Sequence, residues 1–593
     1  MLHQPLENAL RAAVRAVLPD ADPAALLVRP CPDPKFGDYQ TNALMTLAKE
    51  RKLNPRQLAS DVVARLDVSE WCDQVEIAGA GFLNFRLTPS ALARTLQAAV
   101  NGEHLFFRKT ASPRTVVIDF SSPNVAKPMH VGHIRSTVLG DSLARTLRLL
   151  GHRVITDNHI GDWGTQFGML LVGWKTQLNS ATLATDPLAE LERLYKLVSS
   201  QCDEAKPGFQ PEMRERARQE LVRLQQGDPE NLTVWREMIR LSQTQFDAIY
   251  GRLGVKFDHA LGESFYNPWL PDVVNELVAR GVARETAGAK AVLSDGAGAV
   301  KDDPFLVQKD GKPADAPFIV QKQDGGFNYA TTDLATLRYR LQSWQPQEIV
   351  YVTDGRQQLH FRQLFAAFRR WQPEAKVKLA HVWFGSILGD DGRPFKTRSG
   401  EAVKLADLLD EAEQRALAVV AAKNPELDKA GQAHIARVVG LGAVKYADLL
   451  SNRQSDYVFS WDKLLSLQGN TAPYLQYAYA RTRSVLRKGA VPNYELRITN
   501  YEFTLSAPDE ISLAKHLLNF GLVLEAVAEE YRPNFLCNYL YEVAGLFARF
   551  WENCPVLKAE DAVRASRLVL CDLTAQVLKQ GLEVLGIETL EQM

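Results

Sequence analysis

The chain has 593 residues, of which 46% are hydrophobic and 23% are charged, and its formal net charge is −1. This composition is typical of a soluble globular protein with about three or four domains. The near-zero net charge neither supports nor excludes an RNA partner, because basic patches can be local in a large protein. No apolar run approaches the ~20 residues that span a bilayer, and the N-terminus lacks a secretory signal, so we expect no membrane association. The 6 cysteines show no CxxC pair and no disulfide-like spacing, which predicts a cytoplasmic protein.

Residues 1–109 predict a small α+β domain. Its first helix is expected over Pro5–Val17, and a turn-rich loop follows at Cys31–Tyr39. The basic and aromatic side chains of this loop have the chemistry to pair with and stack on RNA, namely Lys35, Phe36 and Tyr39. From the residues alone, a plain surface turn is the simpler explanation.

The stretch from Val116 to Gly168 predicts a βαβ unit. Val116–Phe120 has the apolar run of a buried parallel strand, and two prolines keep the next residues out of a helix. Apolar residues then recur at helical spacing from about His133 to Gly151, before a second strand at Arg153–Thr156. Open α/β sheets bind ligands at the carboxyl ends of their strands, so the two loops of this unit are the expected ligand site.

The predicted helix begins with His130-Val131-Gly132-His133. Two imidazoles three residues apart lie on one face, beside unpaired N–H groups that favour a phosphate. Gly132 lets a base or a ribose approach the backbone closely. Taken alone, the motif fits an ordinary helix start equally well, and a zinc site is disfavoured because helical zinc motifs space their histidines at i, i+4 and add an acid.

A longer ordered string carries a resemblance. It consists of Ser121-Ser122-Pro123-Asn124, Lys127, the histidine motif and Gly161-Asp162-Trp163-Gly164. The string resembles the nucleotide-binding core of class I aminoacyl-tRNA synthetases, and more narrowly that of arginyl-tRNA synthetases of the bacterial type. The resemblance implies an α/β fold with a Rossmann-like parallel sheet, ATP with Mg²⁺ as cofactor and no prosthetic group or zinc. The implied ATP-binding residues are Pro123, Asn124, Lys127, His130, Val131, Gly132, His133, Phe395, Lys396 and Thr397.

Two insertions are expected within a catalytic domain at 110–388. Charge-rich helices at Leu188–Ser199 and Gln210–Arg252 place the first at about 170–245, and a β-rich pattern at Ala289–Gln323 places the second at about 275–325. The resemblance implies that they hold the acceptor end of the tRNA, and that the N-terminal loop at 31–39 contacts the tRNA elbow.

The α/β pattern returns at Asn328–Gln363, where Tyr329 and Asp333 lie one helical turn apart on the same face. An isolated pair of this kind is more often a capped helix start than a ligand site. The resemblance matches both residues, together with Gln357, to positions that hold the amino acid. A carboxylate pairs well with the planar guanidinium of arginine. The full set of implied arginine ligands is Asp119, Ser121, Ser122, Asn124, His133, Tyr329, Asp333 and Gln357.

His381–Leu388 is the predicted last strand of the core, and residues 389–465 are the expected phosphate-clamp loop and helical connector. Other class I synthetases carry Lys-Met-Ser-Lys-Ser in this loop, whereas this chain has Phe395-Lys396-Thr397-Arg398-Ser399, with arginine at the second lysine position. The departure favours Lys127 as the substitute phosphate ligand. The expected catalytic residues are therefore Lys127, His130, His133, Lys396 and Arg398.

Residues 466–593 predict an all-helical domain. Its Asn470–Lys488 segment interleaves tyrosines with arginines, which suits the unstacked bases of a single-stranded loop. The resemblance implies anticodon binding here, with Tyr474, Tyr477, Arg481 and Arg483 as candidate contacts and tRNA(Arg) as the partner of a monomer. Another class I synthetase, a nucleotidyltransferase and a catalytically silent tRNA-binding paralogue are the alternatives.

Overall fold

A computed structural model describes residues 3–22, 26–296, 299–309, 311–389, 391–395, 402–489 and 503–593. The N-terminal elements are α1 (His3–Val17), β1 (Arg29–Pro30), β2 (Tyr39–Thr41), α2 (Ala43–Arg51), α3 (Pro55–Val63), β3 (Cys72–Ala78), β4 (Phe82–Leu87) and α4 (Pro89–Val100). The strands form an antiparallel sheet in the order β1-β2-β4-β3. This is the small α+β arrangement that the sequence predicts.

A parallel sheet forms the centre of the molecule. Its strands and core helices are β5 (Thr115–Phe120), α5 (Val131–Leu149), β6 (Arg153–Asp157), α12 (Tyr329–Trp344), β12 (Glu348–Val352), α13 (Gln358–Trp371) and β13 (Lys378–His381). The strand order is β13-β12-β5-β6, and every pair is parallel. The chain leaves β5 toward β6 on one side and returns to β12 on the other, so the switch point of the sheet lies between β5 and β12. The predicted Rossmann-like fold is confirmed.

Close packing of α5 on β5 depends on one glycine. A Cβ atom at Gly140 would lie 2.5 Å from the Cβ of Phe120, which is closer than side chains approach. Phe120 is fully buried, and α5 is buried along most of its length. The start of α5 is therefore fixed against the end of β5, where the predicted site lies.

Two further groups of elements interrupt the parallel sheet. The first is helical: α6 (Gln166–Gln177), α7 (Ser180–Thr185), α8 (Pro187–Cys202), α9 (Pro211–Gln225), α10 (Pro229–Leu253) and α11 (Leu270–Ala279). The second is β-rich: β7 (Arg284–Thr286), β8 (Ala289–Val292), β9 (Leu306–Lys309), β10 (Lys312–Asp315) and β11 (Phe318–Gln321). The predicted helical stretch at 210–252 is two helices, because Gly227 adopts a left-handed φ of 86° between α9 and α10.

The predicted last core strand is wrong in its position. Strand β13 covers Lys378–His381, and hydrogen bonds to the chain that follows β12 continue only as far as Phe384, whose amide donates to the Thr353 carbonyl at 3.3 Å. Gly385 then donates to the Arg453 carbonyl, which turns the chain away from the sheet. The apolar residues beyond it form β14 (Ile387–Leu388), which pairs with β15 (Tyr457–Val458) instead. The prediction placed the strand too late because the apolar residues continue beyond the end of the parallel sheet into β14.

The C-terminal part is helical, as predicted. Its helices are α14 (Leu405–Lys423), α15 (Lys429–Leu450), α16 (Trp461–Leu464), α17 (Ala472–Lys488), α18 (Pro508–Leu517), α19 (Phe520–Glu530), α20 (Asn534–Asn553) and α21 (Asp561–Val584). An ion pair buried on both sides joins it to the catalytic core, with Arg135 Nε 2.8 Å from Asp448 Oδ1.

Among the described residues, the stretch Pro508–Glu530 is long and apolar enough to cross a membrane by length and composition, with a mean hydropathy of 1.4. Lys515 and Glu525 interrupt it, so the expectation that no uninterrupted apolar run approaches this length stands. In the structure this stretch is two helices, and Leu513, Leu517, Phe520 and Leu524 are fully buried among neighbouring helices. Core packing accounts for their apolar character.

Candidate active site

The loop that follows β5 contains three residues with left-handed backbone angles. Ser121, Ser122 and Ala126 have φ angles of 74°, 49° and 63°. Non-glycine residues keep such angles only where surrounding contacts over-determine them. Here the Ser122 amide donates to Asn158 Oδ1 and the Ala126 amide donates to Ser242 Oγ, each at 3.0 Å. The loop is therefore held in one shape at the carboxyl end of β5.

The hydroxyl of Ser121 is committed to protein partners. It lies 2.9 Å from Thr137 Oγ1 and 2.8 Å from Tyr250 OH, and the residue is buried. Its amide also donates to Ser136 Oγ at 2.8 Å, so neither the hydroxyl nor the amide of Ser121 is left for the predicted contact with arginine. Asn124, in contrast, is exposed, and its amide lies against Gly161 so closely that a Cβ there would collide with it. Asn124 is thus the more accessible of the two predicted ligands.

His130 and His133 cap the start of α5. Nδ1 of His130 accepts a hydrogen bond from the Gly132 amide at 3.1 Å, and Nδ1 of His133 accepts one from the His130 amide at 3.0 Å. A neutral imidazole that accepts at Nδ1 carries its proton at Nε2. Both rings, whose centroids are 4.0 Å apart, therefore carry an Nε2–H donor beside the helix N-terminus, where an anion is favoured.

Both imidazoles are held in the neutral form. Desolvation, with a smaller contribution from the neighbouring His130, lowers the pKa of His133 to about 3. Desolvation also lowers the pKa of His130, as do the positive charges of Arg356 and Lys127. The histidines can therefore donate hydrogen bonds to phosphate at neutral pH, while the opposite charge comes from the lysine and arginine beside them.

The pKa of His133 predicts a specific sensitivity to acid. Because its folded pKa of about 3 lies below that of the unfolded chain, unfolding takes up a proton, and stability is lost as the pH falls below ~6.5. Between pH 7 and pH 5, His133→Asn should lose about 2 kcal/mol less stability than the parent chain. Urea unfolding at both pH values measures this difference, with the exposed His434→Asn as control. Equal losses in parent and His133→Asn would contradict the prediction.

The residues before α14 lie against the histidine motif. The Val131 amide donates to the Val403 carbonyl at 2.9 Å, and the Leu405 amide donates to the Met129 carbonyl at 2.9 Å. A Cβ atom at Gly132 would lie 2.9 Å from His130 Cε1, so the glycine also makes room for this ring. The chain that follows the predicted phosphate-clamp loop is therefore anchored at the phosphate end of α5.

Of the predicted phosphate-clamp contacts, Lys127 and Phe395 lie among the described residues. Lys127 Nζ lies 4.6 Å from the ring centroid of Tyr195, on α8. Phe395 stacks on Phe459 with ring centroids 4.9 Å apart, which favours an apolar contact for Phe395 over the predicted contact with ATP. The predictions for Lys396, Thr397 and Arg398 fall outside the described residues.

Tyr329 and Asp333 share one face of α12, as predicted, and both contact His360 on α13. Asp333 Oδ2 lies 2.6 Å from His360 Nε2, and the Tyr329 ring meets the His360 ring edge-on with centroids 4.9 Å apart. Tyr329 is 62% exposed, so its hydroxyl is accessible from the space at the carboxyl edge of the parallel sheet, which we call the cleft. Gln357 is exposed in the short helical turn that follows β12. These residues lie at the same edge of the sheet as the loop after β5.

Asp119 is not an open ligand. Its Oδ2 accepts a hydrogen bond from Arg340 Nη2 at 2.6 Å, and its Oδ1 accepts one from Ser122 Oγ at 3.2 Å. The same Arg340 nitrogen donates to Asp157 Oδ2 at 2.8 Å, and this guanidinium is fully buried. The structure therefore favours a supporting role for Asp119, with Ser122 between it and the cleft.

A further carboxyl group, on Glu263, belongs to the same region. Burial raises the pKa of Glu263 to about 7; His159 opposes this, and the negative charges of Asp333 and Asp162 add to it. A group of carboxyls that repel one another is stabilised by a cation placed among them. This end of the cleft therefore suits a positively charged side chain.

The predicted RNA contacts of the N-terminal loop divide into two groups. Phe36 is 49% exposed, and Lys35 Nζ lies 4.7 Å from its ring centroid. Tyr39 is 2% exposed and donates a hydrogen bond to Asn519 Oδ1 at 3.2 Å. Since stacking on RNA needs an accessible ring, the structure disfavours the predicted RNA contact of Tyr39, and this residue joins the N-terminal region to the C-terminal helices.

Helix α17 shows a similar division. Tyr477 is 45% exposed, Tyr474 is half-buried, and the Arg481 guanidinium lies 5.6 Å from the ring centroid of Trp551. Arg483 is mostly buried, and its Nε lies 2.8 Å from Glu591 Oε2. The ion pair makes Arg483 a structural residue, which disfavours its predicted contact with RNA.

Sequence reasoning missed His360, Glu263, Arg340, Tyr250 and Arg356. Four of them act on the site through a partner distant in the chain. Arg356 pairs with Asp354, two residues before it, and acts on the distant His130 through its charge. Among the described residues, no group of three or more His, Cys, Asp or Glu side chains is arranged to hold a metal ion.

Comparison with known proteins agrees with the geometry. The chain matches three families: tRNA synthetases class I (R), catalytic domain, over residues 95–461; the DALR anticodon binding domain over 475–593; and the arginyl tRNA synthetase N terminal domain over 4–87. It is 47% identical to the arginine–tRNA ligase of Hahella chejuensis and 46% identical to that of Chromobacterium violaceum, and each match covers 100% of both chains.

Solved structures show the same relationship. The arginyl-tRNA synthetase of Thermus thermophilus superimposes with a TM-score of 0.82 at 26% identity over 100% of both chains. That of Plasmodium falciparum gives 0.81 at 27% identity, covering 100% of this chain and 99% of the other. Together with the parallel sheet and the histidine motif, these matches show that the chain belongs to the arginine–tRNA ligases, class I synthetases that use ATP to charge tRNA(Arg) with arginine.

Proposed function

We propose that the ATP phosphates bind between the histidine motif and Lys127. The Nε2–H groups of His130 and His133 and the N-terminal amides of α5 are the hydrogen-bond donors, and Lys127 and Arg356 supply positive charge. Lys396 and Arg398 assist from the 395–399 loop. Mg²⁺ arrives with the ATP phosphates. The capped, neutral pair of imidazoles is the observation that supports this assignment most directly.

Arginine is proposed to bind at the other end of the cleft. The carboxylate of Asp333 and the hydroxyl of Tyr329 receive the guanidinium, with Glu263 as an additional acidic neighbour. Ser122, Asn124 and Gln357 meet the ammonium and carboxylate of the substrate. Lysine has a single ammonium in place of a planar fork, so it cannot make the paired, charge-assisted contact with Asp333 that a guanidinium makes.

Adenylation in this arrangement needs positioning rather than a general base. The carboxylate of arginine is already ionised at neutral pH and attacks the α-phosphorus of ATP, and pyrophosphate leaves. The site stabilises the charge that develops on both phosphate groups. The product is arginyl-adenylate. A hydroxyl of the 3′-terminal ribose of tRNA(Arg) then attacks its carbonyl carbon, an ester forms, and AMP leaves.

The remaining assignments complete the proposal. Lys35 and Phe36 contact the tRNA elbow, and the exposed face of α17 with Tyr474, Tyr477 and Arg481 contacts the anticodon loop. The domain limits are 1–109, 110–388, 389–465 and 466–593. We propose that the enzyme acts as a cytoplasmic monomer.

Pyrophosphate exchange tests this division of roles. Each amino acid is assayed in turn, with and without tRNA(Arg). We expect arginine to be the one amino acid that supports exchange, and to do so only when tRNA(Arg) is present. Asp333→Asn should raise the KM for arginine about 10–100-fold, because the guanidinium of the substrate loses a negatively charged hydrogen-bond acceptor. The KM for ATP should stay nearly unchanged. An unchanged KM for arginine would contradict the role of Asp333.

A further inference from the structure

Helix α10 contacts both ligand-binding loops of the βαβ unit. Trp235 Nε1 donates to the Asp162 carbonyl at 2.9 Å in the loop after β6, and Ser242 Oγ accepts from the Ala126 amide at 3.0 Å in the loop after β5. Nearer the end of the helix, the Tyr250 hydroxyl meets both loops at once. A single rigid element thus sets the distance between the two loops.

The hydroxyl of Tyr250 occupies the centre of a buried network. It lies 2.8 Å from Ser121 Oγ and accepts a hydrogen bond from Asn158 Nδ2 at 3.1 Å. Oδ1 of Asn158 in turn accepts a hydrogen bond from the Ser122 amide at 3.0 Å. The network therefore forms hydrogen bonds to Ser121 and Ser122, two adjacent residues with left-handed φ angles. Backbone strain of this kind relaxes once the contacts that impose it are removed.

The phenol ring has no room to move. Tyr250 is 4% exposed, and its ring packs edge-on against Phe257 with centroids 5.0 Å apart. Beyond Tyr250, Arg252 forms ion pairs with Asp410 at 2.8 Å and Glu413 at 2.9 Å on α14, which fix the end of the helix. The position of the hydroxyl is thus determined by the packing of the ring against Phe257 and by the fixed end of the helix.

We infer that Tyr250 is a positioning residue for arginine binding, whose hydroxyl holds the loop after β5 in the shape that presents Ser122 and Asn124 to the substrate. This inference rests on the arginine-binding role proposed for that loop. Tyr250 acts through Ser121 and Asn158 and does not itself contact the substrate. Its removal therefore affects the binding of arginine more than the binding of ATP.

Steady-state aminoacylation by the full-length Tyr250→Phe enzyme tests the inference. We expect the KM for arginine to rise roughly tenfold, while the KM for ATP and kcat change by less than about threefold, because the loss of one buried hydrogen bond relaxes only the arginine side of the loop. Ser121→Ala should produce a similar rise. The double variant should show little more than either single one, since both changes break the same network.

Two controls separate positioning from general destabilisation. Tyr539→Phe removes a buried hydroxyl that lies 3.2 Å from the carbonyl oxygens of His516 and Leu517, far along the chain in the C-terminal helices. Thr244→Val removes a hydroxyl from α10 that bonds only within the helix, to the Arg240 carbonyl. Neither should change the KM for arginine. Equal rises in Tyr250→Phe and in these controls would overturn the inference.

Asn124→Ala distinguishes the inference from the proposal beneath it. If Asn124→Ala raises the KM for arginine and Tyr250→Phe does not, the positioning role of Tyr250 is overturned while the role of the loop stands. If Asn124→Ala leaves this KM unchanged, the arginine-binding role of the loop is overturned, and the inference falls with it.

Discussion

Replacing His130 with asparagine is expected to slow arginyl-adenylate formation by about 10²–10³-fold, the usual cost of removing one donor from a charge-stabilising site. Asparagine is a favourable N-cap residue, and its Oδ1 can accept the Gly132 amide as Nδ1 of the imidazole does. What it cannot supply is the distal Nε2–H donor. The free energy of unfolding should therefore stay within ~0.5 kcal/mol of the parent value, although the rate of arginyl-adenylate formation falls.

Pyrophosphate exchange with arginine and tRNA(Arg), together with urea unfolding, measures the two effects separately. His130→Ala loses both the cap and the donor, so it should be equally slow and about 1 kcal/mol less stable. His434→Asn, at an exposed position on α15, should leave both quantities unchanged. If His130→Asn retained exchange within a few-fold of the parent enzyme, His130 would be a structural cap only.

The sequence predicted the elements that carry this site closely, because local rules determine them. The predicted strand Val116–Phe120 is observed as Thr115–Phe120, and the predicted helix ends within two residues of the observed Leu149. Proline, glycine and apolar spacing operate within a few residues of the chain, which is why both bounds could be predicted. The shared face of Tyr329 and Asp333 follows from helical geometry in the same way.

Partners distant in the chain could not be predicted. Asp119 looks like an open substrate ligand in the sequence, yet its main partner is Arg340, 221 positions away. Tyr39 and Arg483 carry the side chains of RNA contacts but are buried against Asn519 and Glu591. Residue type alone does not distinguish an exposed aromatic or basic side chain from one that a later segment covers.

Arg340→Met should destabilise the enzyme by about 3–5 kcal/mol, because it leaves two buried carboxylates without their shared cation. Arg340 is fully buried, and one of its nitrogens donates to both Asp119 at 2.6 Å and Asp157 at 2.8 Å. These aspartates stand on β5 and β6, so the loss loosens the two strands from which the ligand-binding loops begin. Urea unfolding measures the loss of stability.

The same helix provides a matched control. Arg338 also forms an ion pair, with Nη1 2.8 Å from Glu276 Oε1, but its partner is 42% exposed. Water already solvates that carboxylate, so loss of the ion pair should cost only about 0–1 kcal/mol, and methionine keeps an apolar side chain against the Trp371 ring on which Arg338 lies. Arg340→Lys keeps the charge with a single point of contact, so its stability should fall between those of the parent and Arg340→Met, which keeps the comparison usable if the methionine variant does not fold. Equal stability of Arg340→Met and Arg338→Met would show that the two aspartates do not depend on Arg340.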